Sequence, residues 1–210
     1  MIRLQQLSFQ YLSTSQAIHF PDWKVEQGKH ALILGSSGSG KTTLLHLLAG
    51  LLKPNHGEIM VGKENLAGLS STQLDTYRGK NIGLVFQKPH LLNSLTLEQN
   101  LLLAQYMAGL KQDRKRVANV IAALGLAHRH KAMIHTLSQG EAQRASIARA
   151  VLNTPTVILA DEPTSSLDDE NCKKVLHILI EQSNAYQATL VIATHDKRVK
   201  DVIDTHYIMH

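Results

Sequence analysis

Sulfur, aromatic rings and long apolar runs are all scarce in this chain of 210 residues, and each shortage removes a class of protein. Cys172 is the one cysteine, so an internal disulfide framework is excluded, and a reducing, cytoplasmic compartment is the natural reading. The longest apolar stretch, LLHLLAGLL at 44–52, covers nine residues. A helix that crosses a bilayer needs roughly 18 to 20, so the chain alone forms no transmembrane path. The opening MIRLQQLSFQYL scatters Gln and Ser among its apolar residues, lacks the uninterrupted core of a secretory signal, and reads as a strand. Aromatic residues number only nine, and none interleaves the basic run KQDRKR at 111–116, which Asp113 also interrupts. That run reads as a solvated face and not as a nucleic-acid patch. Internal repeats and low-complexity segments are absent.

What remains is an ordinary globular composition, 43% hydrophobic and 19% charged, in a length that suits one domain. A net charge of +5 is compatible with phosphate ligands, nucleic acid, anionic lipid or a plain soluble surface, and selects none of them.

The first 34 residues read as a small β layer: IRLQQLSFQY, a polar turn at LSTSQ (12–16), then AIHFPDW and HALIL. Residues 41–52 are apolar on nearly every face, which suits a helix buried between layers. NIGLVF (81–86), VILA (157–160) and LVIA (190–193) are continuous apolar runs of strand length, the pattern of a parallel sheet covered on both faces. From Thr96 to about Leu126 apolar residues recur at three and four, broken by Gly109 and the polar run after it, which predicts two helices with a solvated junction. Strands alternating with helices predict an α/β domain with a mostly parallel sheet and a helical insertion between about 90 and 135.

GSSGSGKT, residues 35–42, fits the phosphate-binding loop G-x-x-x-x-G-K-[ST], and it follows a strand and opens the buried helix. Gly35, Gly38 and Gly40 bring the backbone close enough for its N–H groups to cradle phosphate oxygens together with Ser36, Ser37 and Ser39, while the helix N-terminus adds a favourable dipole. Lys41 would reach the β- and γ-phosphates, and Thr42, followed by Thr43, would place a hydroxyl on Mg²⁺. VILADE delivers two carboxylates at the carboxyl end of a buried strand, where ligands of open α/β sheets gather. Asp161 suits the metal, and Glu162, projecting the other way, suits orienting or deprotonating a water. LSQGEAQR, 137–144, sets Ser138 three residues before Glu141, a capping box that opens a helix.

Taken together, these elements resemble the ATP-binding cassette family, whose signature reads Leu-Ser-Gly-Gly-Gln. The resemblance spans essentially the whole chain and adds Gln87 after NIGLVF, SSLD at 165–168 and the histidine of THD, His195. It implies that Gln87 touches Mg²⁺ or the attacking water, and that His195 contacts the γ-phosphate. Tyr11 resembles the aromatic residue that stacks on adenine, with strand packing beside Phe9 as the rival reading. Asp168 would lie at the contact between two nucleotide-binding domains and is equally satisfactory as a helix N-cap. Ser138, Gly140 and Glu141 would meet the nucleotide from across a dimer. Two positions depart from the pattern, Gln139 for the first signature glycine and Glu141 for glutamine. Glu141 keeps the capping logic but is expected to bring negative charge towards a γ-phosphate and lower affinity across the interface.

The implied fold is α/β, a P-loop NTPase core with a mostly parallel sheet, an antiparallel β layer and a helical signature subdomain. The core would occupy about 1–89 and 154–210, and the helical part about 90–153. The implied activity is hydrolysis of ATP with Mg²⁺ by Glu162, His195, Gln87 and Lys41, in a dimer of cassettes that energises a separate membrane permease. The chain would sit peripherally on the cytoplasmic face of the inner membrane, with no nucleic-acid partner. IGLVFQKPHLLNSLTLEQNLLL resembles the corresponding segment of lipoprotein-release, macrolide-export and cell-division ATPases. The cell-division likeness keeps open a second role, pulling on a membrane regulator without transport.

Overall fold

A computed structural model describes residues 1–12 and 16–209. The polar turn predicted at 12–16 therefore lies largely outside the described residues. In chain order the elements are β1 (Ile2–Phe9), β2 (Ile18–Phe20), β3 (Trp23–Val25), β4 (His30–Leu34), α1 (Lys41–Leu48), β5 (His56–Val61), β6 (Glu64–Asn65), α2 (Ser71–Asn81) and β7 (Ile82–Val85). There follow α3 (Leu97–Met107), α4 (Arg114–Ala123), α5 (Gln139–Val151), β8 (Val157–Asp161), α6 (Asp169–Ala185), β9 (Thr189–Thr194), α7 (Lys197–Lys200) and β10 (His206–Ile208).

The strands form two sheets. One is antiparallel, ordered β2-β1-β5-β6 with β3 also paired to β1. The other is wholly parallel, ordered β10-β4-β9-β8-β7. The alternation of side chains along a strand explains why the central runs carry no polar face. Ala31, Ile33, Val157, Leu159, Val191 and Ala193 point towards α1 and the antiparallel layer, where Ile2, Leu4 and Leu7 meet them. Leu32, Ile158, Ala160, Leu190 and Ile192 point the opposite way into the helical layer of α3–α6. Between the sheets, Leu44, Leu47 and Leu48 of α1 are wholly buried, and truncating one of them to Ala would cost about 2–5 kcal/mol. On the other side, α5 packs directly on β7 because Gly83 has no side chain: a Cβ there would lie 2.5 Å from the Ala150 carbonyl oxygen.

Three expectations are corrected. HALIL does not belong to the antiparallel layer; as β4 it pairs with β9 in the parallel sheet. AIHFPDW is two strands and not one, since Pro21 supplies no N–H for a ladder and the chain breaks between β2 and β3. The helix read over 41–52 ends at Leu48, where Gly50 takes a left-handed conformation (φ 64°) suited to stopping a helix.

The predicted pair of helices is present. Thr96 and Gln99 form a capping box at the start of α3. The basic run after Gly109 turns out to be structural in part. Asp113 caps α4 by accepting from the Arg116 N–H at 2.9 Å. Arg116 itself donates to the Leu152 carbonyl and to the Tyr186 hydroxyl, and lies over the Tyr186 ring.

Candidate active site

The loop between β4 and α1 is built to receive an anion. Gly40 occupies the N-cap of α1 with φ 95°, and no side chain caps the helix, so its first-turn N–H groups are left for a ligand. Ser36, Ser37 and Gly38 form the exposed apex. Lys41 is buried, and its Nζ donates to the carbonyls of Gly35 and Ser36, each at 2.9 Å. Ser39 Oγ is buried without a partner. A side chain at Gly35 would strike the Met209 carbonyl at 2.9 Å, so the loop tolerates no bulk there.

One residue along α1, Thr42 Oγ1 donates to Asp161 Oδ2 at 2.9 Å. Burial pushes the Asp161 carboxyl pKa up and the neighbouring Glu162 charge adds to this, against the Thr42 bond and the charges of His46 and Lys41. Its other oxygen, Oδ1, is buried and unpartnered. A carboxylate oxygen with no donor beside a threonine hydroxyl is the hard, all-oxygen donor set that Mg²⁺ takes, so these residues fit that ion. Gln87 is exposed two residues beyond β7, whose Val85 is in register with Ala160, so it emerges beside Asp161 at the same sheet edge.

Glu162 holds a strained left-handed conformation (φ 46°), of the kind that concentrates at functional sites. Its N–H bonds the Ala193 carbonyl at 2.9 Å, and the turn sends its carboxylate across to the end of β9, away from Asp161. There Oε2 accepts from Thr194 Oγ1 at 2.9 Å, while Oε1 lies 2.6 Å from His195 Nδ1 and accepts the His195 N–H at 3.2 Å. A carboxylate only accepts, so Nδ1 carries the proton. The two residues predicted to flank the γ-phosphate are thus in direct contact. Thr194 was not among the expected site residues, although it stands in the same THD triplet. Asp196 of that triplet accepts from Thr164 and pairs with Arg198, which holds its pKa down to about 2. Arg198 also pairs with Asp169 and donates to the Leu167 carbonyl, tying the segment after Glu162 to the segment after His195.

Tyr11 is engaged within its own layer and with α1. It packs edge-on against Phe9 with ring centroids 4.7 Å apart, and its hydroxyl lies 2.9 Å from Thr43 Oγ1 on α1. It stays more than one-third exposed.

The remaining expected residues lie elsewhere. Ser138 caps α5 and shares a capping box with Glu141. Across from it, Asp168 caps α6, taking the Asn171 N–H at 2.9 Å. Gly140 sits between them, where a Cβ would come within 3.2 Å of Asn171 Oδ1. These residues line an open groove with Arg129, Arg144 and Lys174, and among the described residues none of the loop 35–42 lines it. Against expectation, Glu141 does not present a free charge there. Oε2 accepts the Ser138 N–H at 2.8 Å, and Oε1 accepts from Arg129 Nε at 2.8 Å with His128 Nε2 at 3.3 Å. The Arg129 bond and then the Ser138 N–H hold its carboxyl down to a pKa of about 2.

Helix α5 also joins this groove to the Gln87 segment, since Gln143 donates to the Phe86 carbonyl and Arg149 to those of Pro89 and His90.

A phosphate loop, a strand ending in paired carboxylates and a capped signature helix on one parallel sheet define an ATP-hydrolysing cassette. The ABC transporter family matches residues 19–165, and the chain belongs to it, as an ATP-binding, ATP-hydrolysing subunit. It is similar to the lipoprotein-releasing system ATP-binding protein LolD of Legionella pneumophila strain Lens, at 37% identity over 94% of this chain and 88% of that protein. The LolD of Bacteroides fragilis strain YCH46 is 35% identical over 97% and 95% of the two chains. Among solved structures, a dimeric post-hydrolysis state of the ATP-binding cassette MJ0796 bound to ADP and phosphate superposes with a TM-score of 0.89 at 29% identity, covering 100% of this chain and 94% of that one. cbiO1 of Clostridium perfringens, part of the ABC transporter complex cbiONQ, gives 0.88 at 30%, covering 99% and 84%.

Proposed function

We propose that the chain hydrolyses MgATP at two composite sites in a homodimer, each made of one subunit's 35–42 loop and the other's Ser138 groove. The supporting observation is the separation of the two half-sites on one chain: the loop has donors for one side of a triphosphate, and the capped helix α5 faces outward from a different groove.

In this reading Lys41 exchanges its two loop carbonyls for β- and γ-phosphate oxygens, joined by the free N–H groups of α1. Tyr11 stacks on adenine. Thr42, Asp161 and Gln87 hold Mg²⁺, which when bound neutralises triphosphate charge. Glu162 orients the attacking water and takes its proton, steadied by Thr194, and His195 leaves Glu162 to donate to the γ-phosphate. Ser138, Gly140, Glu141 and Asp168 complete the site from the second subunit. The helical subdomain of about 90–153 carries that signature and one side of the permease contact. The contact is the cleft between Arg78 and Gly79 of α2, Phe86 after β7, and Ala104 and Met107 of α3. Met107, which lines it, is exposed, as are Leu92 and Tyr106, whereas Leu97 at the start of α3 is core. Among the described residues no helix is long and apolar enough to cross a membrane, so attachment would be peripheral, at the cytoplasmic face and through the permease. The likeness to LolD supports a permease of the lipoprotein-releasing group.

The test is sedimentation of Glu162→Gln with MgATP. A shift to dimer with ATP, none with ADP, and its loss on adding Ser138→Arg are expected; a dimer indifferent to Ser138→Arg overturns the composite site.

A further inference from the structure

The charge at the signature helix poses a problem that the neighbouring residues answer. Glu141 lies in the first turn of α5, at the helix N-terminus that the composite-site reading turns towards the second subunit's triphosphate, and a carboxylate there repels that ligand. Its side chain is only 10% exposed, so water screens it poorly. We infer that Arg129 is a positioning residue of the ATP-dependent dimer, locking Glu141 into its capping box and cancelling its charge so that the signature groove accepts a phosphate.

The geometry is specific. Arg129 ends the 3-10 turn Ala127–Arg129, which follows α4, and donates Nε to Glu141 Oε1 at 2.8 Å, while Oε2 takes the Ser138 N–H. Each oxygen thus has a fixed donor, and the side chain cannot swing outward without breaking two charge-assisted bonds. The Arg129 side chain is 40% exposed and lines the same groove as Ser138, Gly140, Arg144 and Lys174. Its remaining N–H groups therefore add positive charge where the phosphate would enter. His128, at 3.3 Å from Oε1, is a second and longer contact. A glutamine at 141 would need no such partner, so Arg129 and Glu141 form a matched pair.

This inference rests on the composite-site reading, and the experiment separates the two. In the full-length Glu162→Gln chain with MgATP, Arg129→Met should weaken dimerisation about tenfold, within the usual range of a coupling between sites, with MgATP affinity of the monomer unchanged. Adding Glu141→Gln should restore the dimer to within about twofold, because no charge then needs a partner. A lost side-chain brace alone would not be repaired that way. Arg129→Lys, which keeps the charge and disturbs folding least, should fall by less than about threefold. Parental dimerisation in Arg129→Met, failure of Glu141→Gln to rescue it, or full loss in Arg129→Lys each overturns the inference. If Ser138→Arg also leaves the dimer intact, the failure belongs to the composite site itself.

Discussion

At the carboxyl edge of the parallel sheet the charged groups are turned in on one another. Lys41 rests on its own loop, Thr42 on Asp161, and His195 and Thr194 on Glu162. At the N-terminus of α5 the caps are satisfied, yet the groove around them is open and basic on one flank. The first region carries the whole chemistry of phosphate binding and water activation but only one wall of a site. The second carries a wall and no chemistry. A chain built in this way works when a second copy supplies the missing wall, and the contrast predicts that damage to the first region abolishes binding or turnover while damage to the second abolishes assembly.

The largest effect should come from Lys41→Ala. It removes the buried ammonium held on the loop's own carbonyls, and MgATP affinity should fall at least about a hundredfold, measured by calorimetry on a variant whose thermal transition is retained. Ser138→Arg in the same assay should bind MgATP like the parent. Equal losses in both variants would erase the division between the regions. Next is Glu162→Gln, which keeps shape and loses basicity; turnover should drop about 10²–10³-fold with ATP binding unchanged. Thr194→Val is finer. Without the hydroxyl on Oε2, Glu162 loses one donor and its orientation, so kcat should fall about tenfold with KM unaltered. Thr194→Ser should recover most of the lost kcat, and a loss that the serine does not repair would mean that Thr194 serves only the fold.

How much of this was legible in the sequence differs between the same two regions. Continuous apolar strands and glycine-loop spacing are local signals, and they located β4, β7, β8, β9, the loop 35–42 and the Asp161–Glu162 pair. The pairings that make the region a site are not local. Thr42 meets Asp161 and Thr194 meets Glu162 only because β4, β8 and β9 are adjacent in the sheet, an order no short spacing encodes. Helix α2 escaped notice for a different reason: it buries none of its residues and is held by the Ser70–Gln73 capping box, so it has no apolar stripe to read. Glu141 shows the same limit in the signature region. Its capping role follows from the spacing to Ser138, but its partner Arg129 comes from the preceding turn, and without that partner the charge looked harmful.

The smallest expected effect compares one ion pair from each region under acid. Glu141 with Arg129 and Asp196 with Arg198 both have the carboxyl pKa held at about 2. Unfolded, these groups protonate near pH 4. The folded chain therefore binds fewer protons between about pH 4.5 and pH 2, and each pair contributes stability that is fully present above that window and lost as pH falls through it. Urea unfolding free energies taken from pH 6 down to pH 2 should decline in the parent. The decline should be shallower by up to one proton per pair in Arg129→Met and in Arg198→Met. Asp196 and Arg198 bind segments that flank Glu162 and His195, so Arg198→Met should also lower turnover. Arg129→Met, assayed as an isolated monomer, should leave nucleotide affinity alone. A change in monomer affinity on Arg129→Met would mean that the two walls communicate within one chain, and the contrast between a binding region and an assembling region would fail.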